Sequence, residues 1–301
     1  MSTAVAPIDI YVPRDSGALS LGAEEVAHAI AQEAKTRNIA LRIIRNGSRG
    51  MYWLEPFVEV ATAAGRMAYG PVTVKDVPGL FDAGFHTGGK HALGHGVTDE
   101  LQFLKSQQRL TFQRVGIVDP VSVQDYVANG GYQGLRAALA QTQAAIVQQV
   151  LDSGLRGRGG AAFPTGIKWK TVLDQNTPQK YVTCNADEGD SGTFADRMLM
   201  EGDPLTLIEG MTIGGLAVGA TQGYIYLRCE YPHAYQVLKE AIAAAYQARY
   251  LGADVMGSPP SSTTSLPSRA CPASSPRAPR TTGTSAQASR GARSRSNWPA
   301  T

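Results

Sequence analysis

Five glycines, two arginines and a lysine stand together in one short run, GLRGRGGAAFPTGIKW, from Gly154 to Trp169. Glycine at that density is excluded from helix and strand interiors, because it loses the most backbone freedom on ordering. The run therefore reads as a loop. Its glycines let backbone N–H groups approach an anion, its cations neutralise charge, and Phe163 adds a flat apolar ring. These features suit a ligand with phosphates at one end and a ring at the other, a nucleotide or a flavin. Gly157, Gly159 and Ala162 match the dinucleotide pattern G-x-G-x-x-[GA], but that pattern needs a strand before it. Here Ile146–Ser153 reads as a helix, so a phosphate loop of another architecture is expected. A glycine-rich turn without a ligand is the competing reading.

A second constellation follows a strand-like segment, Tyr181–Asn185. It runs Asn185-Ala186-Asp187-Glu188-Gly189-Asp190-Ser191-Gly192-Thr193-Phe194-Ala195-Asp196-Arg197. Ligands of α/β sheets collect at the carboxyl ends of strands, and the amide and carboxylates there can bind sugar or ribityl hydroxyls. Asp187, Asp190 and Asp196 also invite a calcium reading, but the spacing does not fit an EF-hand.

Elsewhere the patterns predict mixed α/β structure. Residues 8–14 and 39–45 read as strands around a helix at 21–36 with Val26, Ile30 and Ala34 on one face. Residues 57–60 and 66–69 read as a hairpin, and Asp76–Phe81 as a short helix capped by Asp76. This order suits a small thioredoxin-like domain at 1–85. Residues 86–130 read as a connector. Its histidines His86, His91 and His95 lie among glycines, where a solvated loop competes with a metal site. Helices are expected at 134–142 and 143–153, from Trp169, at 205–219 and at 235–250, with a further strand at 223–230. The α/β domain is placed at 131–257.

The 301 residues carry a formal charge of +3, yet the six arginines after Ser258 leave a mildly acidic body. The segment 258–301 is Ser, Pro, Thr, Ala and Arg with few large aliphatic residues, and disorder is expected there. No apolar run reaches the ~18 residues of a membrane span. No signal peptide is read at the N-terminus, so a cytoplasmic address is expected. Three dispersed cysteines make neither a disulfide framework nor a metal site. The tail has one aromatic residue and no lysine, which disfavours nucleic acid as a partner.

The two loops, with LMEGDP and RCEYP downstream, resemble the flavin subunit of respiratory complex I (the 51-kDa family) and the NAD-linked subunits of hydrogenases and formate dehydrogenases. The resemblance implies an α/β domain holding FMN, with NAD(H) stacking on it. It places Gly157, Arg158, Gly159, Gly160 and Lys168 along the FMN phosphate path. Asn185, Asp187 and Glu188 fall at the flavin and its ribityl chain, Phe163 against the NAD adenine, and Asp190 at its ribose. No side chain acts as a base. The family loop reads GGAGF where this chain has GGAAF; if position 162 needs φ > 0, Ala162 costs on the order of 1 kcal/mol.

In some relatives the thioredoxin-like domain carries a T-G-C-x-G-x-C-x-x-x-P loop for a [2Fe–2S] cluster. Here Ser48 and Tyr52 stand at the cysteine places, so no metal is expected. With YVPRD, RNGSRG, WLEP and FDAGF, this domain looks most like the β subunit of cytoplasmic NAD-dependent formate dehydrogenase, a protein partnered by iron–sulfur and molybdenum-containing subunits. After Gly257 the resemblance stops. The GAGAYICGEETAL-type segment and the [4Fe–4S] cysteines of the family are absent. The tail then reads as an out-of-frame GC-rich translation, and the chain as a truncated subunit with doubtful turnover.

Overall fold

The computed structural model describes residues 6–158 and 160–258, and the mixed α/β character expected from the sequence is what it shows. The disorder expected from residue 258 onward lies outside the described residues, apart from Ser258 itself.

The first part is built on β1 (Ile8–Tyr11), α1 (Ser16–Ser20), α2 (Ala23–Thr36), β2 (Leu41–Ile44), β3 (Val58–Thr62), β4 (Gly65–Tyr69), α3 (Val77–Asp82) and β5 (Gly94–Val97). The strand order is β2-β1-β3-β4-β5. β1 and β2 are parallel, Ile10 opposite Ile43, and the remaining pairs are antiparallel. Strand, helix, strand, hairpin, helix is the order expected of a thioredoxin-like unit. α2 buries Val26, Ile30 and Ala34 on one stripe, as its 3.6-residue period requires. That stripe packs with Ile10, Val58, Val60, Leu80 and Phe85.

Two local expectations are corrected. Asp76 does not cap α3 with its side chain; its carboxylate accepts from the Thr73 backbone N–H and hydroxyl. The histidine segment is not all loop, because Gly94–Val97 forms the edge strand β5 on β4. His95 bonds the Gly70 carbonyl at 2.7 Å, His91 accepts from the Leu93 N–H, and His86 stacks on Phe81.

The short helices α4 (Gln102–Lys105) and α5 (Val123–Ala128) lead to the second part. It comprises α6 (Gln133–Leu139), α7 (Gln143–Asp152), α8 (Thr165–Leu173), β6 (Tyr181–Ala186), α9 (Ala195–Gly202), α10 (Pro204–Val218), β7 (Gln222–Leu227) and α11 (Pro232–Gln247). β6 and β7 pair in parallel, Cys184 opposite Ile225. α10 is apolar nearly all round and buried, as a central helix must be. Its Leu205, Ile208 and Met211 pack with Leu135, Ala241 and Ile242. One face of the two-stranded sheet packs inward through Val182, Cys184 and Ile225. The other leaves Tyr181, Thr183, Asn185, Tyr224 and Tyr226 exposed.

Three glutamates cap helices from distant positions. Glu201 on α9 accepts from the Ser16 N–H and hydroxyl at 2.8 and 2.6 Å, at the start of α1. Glu209 on α10 accepts from the Tyr132 and Leu135 N–H groups at the start of α6, and from the Tyr126 hydroxyl. Glu188 does the same for α9. Each carboxylate meets unpaired N–H groups at the positive end of a helix dipole.

The two parts touch closely. A Cβ on Gly47 would lie 2.7 Å from the Gly202 Cα, and one on Gly202 would lie 2.7 Å from Val115. Around this crossing, Arg14 pairs with Glu240, and Arg114 binds Asp203 and Thr206. Burial pushes the Asp203 carboxyl up to about 6 despite those partners. Among the described residues no helix is long and apolar enough to cross a membrane.

Candidate functional site

The glycine-rich loop leaves the end of α7 and returns at the start of α8. A helix, not a strand, precedes it, which removes the ordinary dinucleotide turn. Its stem is a small antiparallel bridge between Arg156 and Pro164. The Gly157 N–H donates to the Phe163 carbonyl at 2.9 Å, and the Thr165 N–H to the Leu155 carbonyl at 2.8 Å. Arg156 Nη1 donates to the Ala162 carbonyl at 3.0 Å, so this arginine, unassigned from sequence, ties the loop to itself. Gly166 packs α8 onto α7, since a Cβ there would lie 2.6 Å from the Leu151 backbone.

The tip presents Arg158, Gly160 and Phe163 to solvent, with Phe163 50% exposed. Gly160 has φ +92° with open space where a Cβ would stand. Ala162 has φ +49°, in the left-handed region, the condition under which an alanine here carries a cost. Lys168 lies exposed on α8 and, like Arg158, makes no ion pair among the described residues. Gly159 lies outside the described residues.

The acidic loop leaves the carboxyl end of β6. Asn185 is exposed on the open sheet face, and its amide oxygen accepts from the Asp187 N–H at 3.2 Å. Asp187 and Asp190 are exposed, and Gly189 and Gly192 have open space where a Cβ would stand. Glu188 differs, being buried. Its two oxygens accept from the Asp196 and Arg197 N–H groups at 3.0 and 3.2 Å, in the first turn of α9. The Tyr231 hydroxyl donates to the same carboxylate at 3.1 Å, and Arg228 donates to the Glu188 carbonyl. Burial, and then the nearby Glu188, raise the Asp196 carboxyl. Arg197 lies over the Phe194 and Tyr231 rings. Sequence reasoning missed Arg228 and Tyr231 as supports of this loop; the one available signal was their place in the RCEYP segment.

The loop Asn46–Pro56 faces the acidic loop, with the Tyr52 ring edge-on to Phe194 at 5.6 Å. At the two positions aligned with cluster cysteines, Ser48 donates to Glu55 at 2.6 Å and Tyr52 packs on Phe194. Of the described residues placed at the site from sequence, only Arg158 lines a cavity together with Thr193 and Phe194 of the acidic loop. The others stand on the open surfaces of their loops, on α8 or on β6, except the buried Glu188. Cys184, on the inward face of β6, is a half-buried thiol whose pKa burial pushes up to about 11.

Residues 150–268 match the family model of the Nuo51 FMN-binding domain. The HndC component of the NADP-reducing hydrogenase of Solidesulfovibrio fructosivorans is 51% identical over 154 residues, covering 51% of this chain and 31% of that protein. The F 2 component of the NADH-quinone oxidoreductase of Rhizobium meliloti (strain 1021) is 47% identical over 147 residues, 48% of this chain and 35% of that protein. The chain thus spans about a third of the length of these relatives. Among solved structures, an NAD+-reducing [NiFe]-hydrogenase in the air-oxidized state aligns with 82% of this chain and 42% of its own, at 23% identity and a TM-score of 0.38. Both the glycine-rich and the acidic loop lie within the segment 150–268 that matches the Nuo51 FMN-binding domain model.

Proposed function

We propose that this chain is the flavin-binding part of an NAD(H)-linked oxidoreductase subunit, in which hydride passes between nicotinamide and FMN. The observation that carries it is the pairing of two loops within one FMN-binding family segment. The residues present fit FMN on one side. Open space surrounds Gly160, Gly189 and Gly192, and the cations Arg158 and Lys168 have no ion-pair partner among the described residues. An oxyanion supplies what unpaired guanidinium and ammonium groups lack.

When bound, FMN supplies the two-electron acceptor for the hydride. This chain's own residues bind and orient. Gly157, Arg158, Gly159, Gly160 and Lys168 hold the phosphate; Asn185 and Asp187 accept from ribityl hydroxyls. Phe163 offers a face to the NAD adenine, and Asp190 an acceptor to its ribose. Glu188 positions these groups by fixing the acidic loop to α9. No side chain needs to move a proton, so orientation and electrostatics are the protein's share of the work.

The electrons are exchanged with a formate-oxidising partner through iron–sulfur and molybdenum-containing subunits; the thioredoxin-like domain at 1–85 and the connector at 86–130 dock against them, beside the FMN domain at 131–257. Support for the formate assignment is limited to the YVPRD, RNGSRG, WLEP and FDAGF segments. A second reading, a nucleotide-binding or docking module without turnover, is favoured by the bare face of the β6–β7 sheet, because parallel sheets are ordinarily covered on both faces. Reconstitution of the purified chain with FMN separates the two. Stoichiometric visible absorbance with NADH–ferricyanide activity would establish the first reading. Nucleotide binding without flavin or turnover would establish the second reading instead.

A further inference from the structure

The first part of the molecule grips α9 along one stripe. Phe194, Met198, Glu201 and Gly202 recur at the spacing of a single helix face. Each of them meets a residue of the first part. The Tyr52 ring lies edge-on to Phe194 at 5.6 Å. A Cβ on Gly50 would lie 3.6 Å from the Met198 Cε. Glu201 accepts from the Ser16 N–H and hydroxyl, and the Gly202 Cα stands against Gly47. Another face of α9 buries Met200 with Ala186, Ala234 and Leu238 of the second part.

The start of α9 is also where the acidic loop ends. Glu188 holds the Asp196 and Arg197 N–H groups, and the Tyr231 hydroxyl lies within reach of both the Glu188 carboxylate and the Thr193 carbonyl. Between Glu188 and Phe194 the loop is exposed, and its two glycines meet no neighbour where a Cβ would stand. Such a segment has few contacts of its own to fix its path. Its geometry is set at its ends, by β6 on one side and the first turn of α9 on the other. β6 is anchored in the core of the second part, whereas α9 depends on the first.

Tyr52 is itself fixed. Its ring fills the space beside Gly17, so that a Cβ on Gly17 has no room. Its hydroxyl is buried without a hydrogen-bond partner among the described residues, so the side chain acts through its ring alone.

We propose that the first part is a clamp on α9 and that Tyr52 is a positioning residue of the flavin site. Through Phe194 it holds the first turn of α9, and through Glu188 it holds Asp187 and Asp190 where they meet the ligand. The role assigned to those aspartates rests on the flavin reading given above; the clamp itself rests on the contacts of α9.

Amide hydrogen exchange of the full chain, with FMN titration followed by quenching of flavin fluorescence, tests the proposal. In Tyr52→Ala the Asp196 and Arg197 amides should exchange about tenfold faster, as expected for loss of an edge-on aromatic contact, and FMN affinity should fall with them. The amides of β1, β3 and α10 should keep their rates, which a general loss of stability would not allow. Tyr52→Phe removes only an unpartnered hydroxyl and should match the wild type in both measurements. Ser16→Ala loosens the other end of the grip and should speed the same two amides by about twofold or more, so it decides the matter if Tyr52→Ala does not fold. If the wild-type chain takes up no FMN, the flavin reading fails, while exchange at Asp196 and Arg197 still decides whether the first part holds α9. The proposal is overturned if these two amides exchange at the wild-type rate in the Tyr52→Ala and Ser16→Ala chains. It is equally overturned if they exchange faster while FMN binds as tightly as before.

Discussion

Replacing Glu188 by Gln separates two roles that one carboxylate can play at the acidic loop. In the structure both oxygens are engaged, accepting from the Asp196 and Arg197 N–H groups and the Tyr231 hydroxyl. Phe194, at the N-cap of α9, offers no side-chain bond, so Glu188 is the cap. A glutamine keeps one acceptor oxygen and turns an NH₂ toward the other N–H. One charge-assisted bond is lost outright and a buried donor is left facing a donor. Hydrogen bonds to charged groups contribute about 1.5–3 kcal/mol, so the first turn of α9 should open more easily by about 2–3 kcal/mol. Amide hydrogen exchange reads this directly: Asp196 and Arg197 should exchange about thirtyfold to a hundredfold faster, while the N–H groups of β1 and β3 keep their rates. FMN affinity should fall as a consequence of the loosened loop. Unchanged exchange at Asp196 and Arg197, together with lost FMN affinity, would refute the positioning role and assign Glu188 to the ligand.

Three further outcomes are expected. Glu209→Gln removes the cap of α6 and strands buried donors near Tyr126, Tyr132 and Leu135; a loss of about 2–4 kcal/mol, and a melting temperature lower by about 5–15 °C, should appear in thermal denaturation. Glu55 is buried, and its carboxyl is pushed up to about 8, first by desolvation and then by Asp15. Its folded pKa lies above the unfolded value of 4.5, so the stability it contributes is fully present below that value and is lost as pH rises through 8. Denaturant titrations from pH 5 to 9 should show a decline on the order of 3–5 kcal/mol that Glu55→Gln largely abolishes. Ala162→Gly relieves a left-handed alanine, about 1–2 kcal/mol, against about 0.5–1 kcal/mol of added backbone entropy; a net gain of about 0.5–1 kcal/mol should raise the melting temperature by about 2 °C.

Elements whose own side chains decide them were legible in the chain. α2 and α11 follow the apolar period, α10 reads as a continuous apolar run, and the β3–β4 hairpin follows its strand-forming segments. The left-handed backbone at residue 162 was also legible, because a glycine is displaced there. What escaped were features fixed by partners far along the sequence. β5 is glycine-rich and exists because β4 offers it a ladder. α9 has no capping residue of its own, and the glutamate that supplies the cap sits eight residues upstream of Asp196. The family resemblance places Glu188 at the flavin, but its capping of α9 could not be read from the chain, because a carboxylate in a polar loop looks free until the helix that uses it is in place.

The crossing of Gly47 and Gly202 has a consequence for how the two parts respond to their surroundings. Charged contacts beside it, such as Arg14–Glu240, are partly exposed and weaken as mobile ions accumulate around them. A contact of backbone against backbone has no charge to screen and no side chain to repack. The docking geometry should therefore persist at high ionic strength, where the ion pairs contribute little. The same contact tolerates no gradual adjustment. A methyl group on Gly47 would meet the Gly202 backbone and part the two halves of the molecule rather than strain one of them, whereas one on Gly202 would meet the Val115 side chain.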